Sequence, residues 1–141
     1  MYTINDLAVM TGLTARTIRN YMKLGLLDGE KVNGVWRFTG EQFSAFVADP
    51  NVKPSLQAKK RGIVFDFLAN DRKNGNAACV VLDLKTDGAG ADEVSRFFCD
   101  AVNRGAEGVQ FAFWYENGNT RVILSGPEDC VQGIMAQYYC P

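Results

Sequence analysis

Two short helix-forming segments separated by a single glycine constrain this chain more than any other feature. Residues 5–11 are long enough for two helical turns and offer Leu7, Ala8 and Met10 to a core. Gly12 comes next, where a glycine supplies the tight turn that sets two helices at a steep angle. Thr14 predicts the N-cap of a second helix over residues 15–24, with Ile18 and Met22 turned inward and Tyr21 beside them. After Gly25, Leu26 and Leu27, turn residues Gly29 and Gly34 and a returning stretch Val35-Trp36-Arg37-Phe38 predict a small hairpin. Residues 40–48 close the unit as a helix that contributes Phe43, Phe46 and Val47. Asp49-Pro50 stops that helix, since proline disfavours the helical conformation in the residue before it. The layout is a winged helix-turn-helix.

The second helix presents Arg16, Thr17, Arg19, Asn20 and Lys23 outward, with Thr14 at its head. Three cations and several hydrogen-bonding side chains on one face suit phosphates and base edges in a major groove. An ordinary solvated helix face has a similar composition, so the hairpin cations Lys31 and Arg37 matter to the reading. Charge is divided along the chain. Residues 1–62 hold nine Lys/Arg against five Asp/Glu, and residues 63–141 hold six against eleven. A basic DNA reader joined to an acidic second module has this asymmetry, and only the basic part is attracted to phosphates.

The segments Thr3-Ile4-x-x-Leu7-Ala8, Thr11-Gly12-Leu13-Thr14, Arg16-Thr17-Ile18-Arg19-x-Tyr21 and Gly25-Leu26-Leu27 resemble the N-terminal domain of MerR-family transcription regulators. The resemblance covers roughly the first third to two-fifths of the chain. It implies that Arg16, Thr17, Arg19 and Tyr21 lie on or near double-stranded DNA and that Arg37 grips a phosphate from the wing. It also implies a homodimer acting on a palindromic promoter. The chain departs from the family pattern at Asn20, where a second aromatic is usual, and in a short wing built on Trp36-Arg37-Phe38. A long C-terminal pairing helix is not evident. Excisionase-type winged helices share much of the pattern, which keeps a protein-docking or recombination-accessory module as an alternative.

Residues 1–49 are therefore expected to form the winged domain and residues 50–61 a linker, stiffened by Pro50 and Pro54 and carrying the basic cluster Lys59-Lys60-Arg61. Residues 62–141 read as an internal repeat. Gly62 to Leu68 resembles Gly108 to Trp114, each is followed by an Asn-Gly-Asn turn and a second apolar stretch, and each ends in an amphipathic helix. The alternation of Ile63, Phe65 and Phe67 favours strand over helix for residues 62–70, although Ile63, Val64, Phe67 and Leu68 also fit a period of 3.6. The expected fold is α+β: after the winged domain, a small two-layer domain with a four-stranded, mainly antiparallel sheet, two helices and a ββα repeat. The two-residue loop Asn117-Gly118 suits a type I′ turn. It places Glu116 opposite Asn119, Trp114 opposite Arg121 and Phe113 opposite Val122.

One sheet face, with Phe111, Phe113, Val122 and Leu124, is covered by the helices. The other holds Val64, Leu68, Cys79, Val81, Ala112, Trp114 and Ile123, with Asp66, Asp83 and Arg121 among them. That face is too apolar to meet water directly. Val81, Ala112, Trp114, Arg121 and Ile123 are accordingly a dimer or ligand face. A partner subunit comes first, a small-molecule effector second and the domain's own linker third.

Enzymatic chemistry finds little support. With no histidine in the chain, Ser-His-Asp and Cys-His arrangements are impossible. Four scattered cysteines lack metal-ligand spacing, so neither a metal nor a cofactor is expected. No apolar run approaches the roughly 20 residues of a membrane helix. A cytoplasmic location is the expectation.

Overall fold

The computed structural model describes residues 1–71, 73–104 and 108–141. Helix α1, Ile4–Thr11, starts at a capping box in which Thr3 accepts from the Asp6 amide and Asp6 accepts from the Thr3 amide. Gly12 ends it in the left-handed region, at φ 76°, and its N–H donates to the Ala8 carbonyl. Helix α2, Ala15–Lys23, is capped by Thr14 as expected. Strands β1, Glu30–Val32, and β2, Val35–Arg37, form a hairpin around Asn33 and Gly34, both at positive φ. Tyr2 pairs antiparallel with Phe38, which ties the N-terminus to the base of that hairpin. Helix α3, Gly40–Ala48, begins at a second capping box, Thr39 with Gln42.

The segment read as linker and first strand is helical instead. Helix α4, Lys53–Ala69, runs 17 residues. Pro54 sits in its first turn, where the missing N–H costs nothing. Leu56, Lys60, Ile63 and Phe67 recur at helical spacing and make its inner stripe, while Phe65 is 70% exposed. The apparent alternation of residues 63, 65 and 67 is therefore the coincidence of a 3.6-residue stripe with an outward aromatic. A chain cut between residues 61 and 62 would fall inside this helix.

Among the described residues the main sheet consequently has three strands rather than four. Its order is β3-β5-β4, all antiparallel, with β3 at Ala77–Lys85, β4 at Gln110–Glu116 and β5 at Asn119–Pro127. Three helices serve it: α4, α5 (Gly88–Asn103) and α6 (Glu128–Tyr139). The order α4–β3–α5 followed by β4–β5–α6 is not a repeat of ββα units. The predicted register of the second hairpin is found, with Glu116 opposite Asn119, Trp114 opposite Arg121 and Phe113 opposite Val122. Asn117 and Gly118 both take positive φ, as a type I′ turn requires.

The face with Phe111, Phe113, Val122 and Leu124 packs on α5 and α6, where Phe98 stacks on Phe111 and Tyr138 meets both Phe97 and Phe98. The N-terminal unit joins the same core. Helix α1 lies against β4, Phe43 comes within 6.3 Å of Phe113, and Tyr2 donates to Asp92 at 3.0 Å and contacts the Ser95 hydroxyl. Arg96 bridges to Asp6 at 3.4 Å. Buried side chains thus run without a break from Tyr2 to Ile134. In the order β3-β5-β4 both outer strands are sheet edges, and α1 packs against β4.

Candidate nucleic-acid interface

Helix α2 stands out from the body of the protein because its inner contacts are few. Ile18 alone is fully buried, with Met22 and Tyr21 half-buried beside it. Tyr21 meets Phe46 edge-on at 5.4 Å, so its ring anchors α2 to α3 and only part of it faces outward. Arg16, Arg19, Asn20 and Lys23 are exposed and repeat at i, i+3, i+4 and i+7, which puts them on one stripe. Thr14 is exposed and Thr17 half-buried. Their hydroxyls lie 3.0 Å apart and Thr14 also accepts from the Thr17 amide, so both are engaged at the helix start.

The hairpin stands next to this stripe. Arg19, Met22 and Lys23 line a groove of about 380 Å³ together with Leu27, Asp28, Gly29 and Trp36. Arg37 on β2 is half-buried and sits opposite Glu30 in the register. Lys31 lies 5.9 Å from the centre of the Trp36 ring. Among the described residues, none of Arg16, Arg19, Lys23 and Arg37 is in an ion pair. These cations stay available to an anionic partner, whereas three basic side chains on the body are held in ion pairs. Lys53 pairs with Glu116, Arg96 with Asp6, and Arg121 with Asp83.

The basic cluster at residues 59–61 divides. Lys59 is exposed and donates to the Gly12 carbonyl at 3.3 Å, Arg61 is exposed, and Lys60 is 3% exposed and turned inward. Lys60 is therefore unavailable to phosphates.

The second sequence-derived face is mostly filled from within. Helix α4 covers its centre, leaving Ala112 1% and Ile123 4% exposed, so these two residues pack inside the chain. Val81 remains 48% exposed. Trp114 and Arg121 sit at the border of the covered area, with the guanidinium carbon 5.2 Å from the ring centre. Asp83 takes both arms of Arg121, at 2.6 and 2.8 Å. That pairing holds the Asp83 carboxyl below the usual range. The residue missed by sequence reasoning is Lys60, whose ammonium lies 3.8 Å over the Trp114 ring. Its spacing from Leu56 was the available signal, obscured by the reading of residues 50–61 as a linker.

No group of three or more metal-binding side chains occurs among the described residues. No helix among them is long and apolar enough to cross a membrane. No curated protein and no solved structure matches the chain. The family model described as MerR HTH family regulatory protein matches residues 2–45, which span α1, α2, the hairpin and the start of α3. That family is one of DNA-binding regulators, and the matched segment carries Arg16, Arg19, Lys23 and Arg37. Residues 2–45 of this chain match the helix-turn-helix domain of the MerR family.

Proposed function

We propose that the chain is a sequence-specific transcription regulator that lays α2 in the major groove, uses the β1–β2 hairpin as a wing, and works as a homodimer. The observation that carries this reading is the stripe of Arg16, Arg19, Asn20 and Lys23, exposed and free of ion pairs on a helix that a MerR-family match covers. In this reading Arg19 and Asn20 meet base edges, and Arg16, Lys23 and Arg37 hold phosphates. Thr14, Thr17 and Tyr21 set the angle of the helix.

A regulator that reads two half-sites needs two copies. Phe65 and Leu68, 70% and 72% exposed on the outer side of α4, support an isologous contact there, with Val81 as a further exposed apolar residue. The border around Trp114 serves as the effector site in this reading. Selection of bound duplexes from a random pool, followed by titration of Arg16→Ala and Arg19→Ala proteins, tests the DNA assignment. Enrichment of a palindrome and at least tenfold weaker binding by the variants are expected. Binding that enriches no sequence would turn the reading toward the docking or recombination-accessory module. Sedimentation of the full chain with Phe65→Glu and Leu68→Glu tests the dimer, which the paired change should dissociate.

A further inference from the structure

Buried charges in folded proteins are almost always paired. Asp6 obeys this rule, since it accepts from the Thr3 amide and pairs with Arg96. Lys60 does not. Its side chain is 3% exposed, and its ammonium has the Trp114 ring at 3.8 Å and no carboxylate in ion-pair contact among the described residues. Both carboxylates in the neighbourhood are taken: Glu116 by Lys53 at 2.6 Å, and Asp83 by Arg121. Three cations and two carboxylates thus share this corner of the fold, and one negative charge is missing.

The space for it exists. Lys60 lines a cavity of about 40 Å³ together with Lys53, Leu56 and Gln57 of α4, Val47 and Ala48 of α3, and Trp114, Tyr115 and Glu116 of β4. One water needs roughly 10–15 Å³ of such space, so this cavity suits a solute of three or four heavy atoms. At its lining the Lys53 ammonium is paired with Glu116, which leaves the Lys60 ammonium and the Gln57 amide to donate, an indole forms one wall, and α3 contributes only apolar surface.

We propose that this cavity is a binding site for a small monocarboxylate, such as formate or acetate, paired with the Lys60 ammonium against the Trp114 ring. This gives the effector site suggested above a defined ligand class, and it stands whether or not the chain binds DNA. The cavity joins α3 of the helix-turn-helix unit to α4 and β4, so occupancy is felt by both parts of the core. Burial, opposed by Glu116 and helped by Arg121 and Lys53, brings the Lys60 ammonium down to about 7. Carboxylate binding therefore belongs to the pH range where Lys60 is protonated, and it weakens as pH rises above 7.

The test is a titration of the full-length protein with sodium acetate at pH 6, against sodium chloride at equal ionic strength, following the indole N–H resonance of Trp114. A saturable shift with acetate and none with chloride is expected. From pH 6 to pH 9 the apparent affinity should fall at least tenfold, and Lys60→Met protein should show no saturable shift. No saturation by acetate or formate at pH 6, equal affinity at pH 6 and pH 9, or an unchanged response in Lys60→Met protein would each overturn the proposal. All three are read without DNA, so they are separable from failure of operator binding.

Discussion

Replacing Lys60 by methionine should stabilise this protein at neutral pH. The two side chains have similar volume, and the change removes an unpaired buried charge while leaving the inner stripe of α4 apolar. Burial lowers the Lys60 ammonium from 10.5 to about 7. At about 1.4 kcal/mol per pH unit, that difference corresponds to roughly 5 kcal/mol of lost stability at and below pH 7. The indole contact forfeited in the variant offsets about 2 kcal/mol. A gain of about 3 kcal/mol is expected, within the range of about 1–4 kcal/mol for apolar replacement of buried ions.

The sign of the pH dependence follows from proton counts. Between pH 7 and 10.5 the unfolded chain keeps the Lys60 proton and the folded chain does not, so wild-type stability rises with pH, by up to about 1.4 kcal/mol per unit. Lys60→Met protein lacks this slope. Urea denaturation of both proteins at pH 7.0, 7.75 and 8.5 should show the gap closing by about 2 kcal/mol. The series stops there because burial pushes the Cys99 thiol up. Above pH 9 the unfolded thiol ionises while the buried one does not, which lowers stability. Parallel curves, or a variant less stable than wild type at pH 7, would refute the reasoning.

Three further outcomes are expected. Arg16→Ala and Lys23→Ala should each lower the slope of log affinity against log salt by about 0.9 per lost phosphate contact, measured by fluorescence anisotropy on a selected duplex, with little change in melting temperature. Tyr2→Phe removes the hydroxyl that donates to Asp92 and meets Ser95. It should cost about 1–2 kcal/mol in urea unfolding by leaving buried Ser95 less satisfied. Thr39→Ala breaks the capping box of α3 and should cost about 1 kcal/mol in the same measurement.

What could be read from the sequence was local. Thr14 and Gly12 announce helix boundaries because caps and left-handed turns depend on a few adjacent residues. Asn117-Gly118 dictated the register of its hairpin for the same reason. The stripe on α2 was legible because exposed positions need only the helical period, and the family resemblance drew on those same segments. Residues 62–70 fit two periods at once, and nothing within the segment decides between them. Tertiary packing decided it: the sheet surface around Ala112 and Ile123 had to be covered, and a helix continuing from Lys53 could bring Leu56, Lys60 and Ile63 to it together. Composition marked that surface as one that must be buried, while the choice among partner, ligand and the chain's own helix depended on contacts between segments distant in sequence. Lys60 belongs to the same class of fact. Its exposure, its ring contact and its missing counter-charge are set by β4 and β5, some fifty to sixty residues further along the chain.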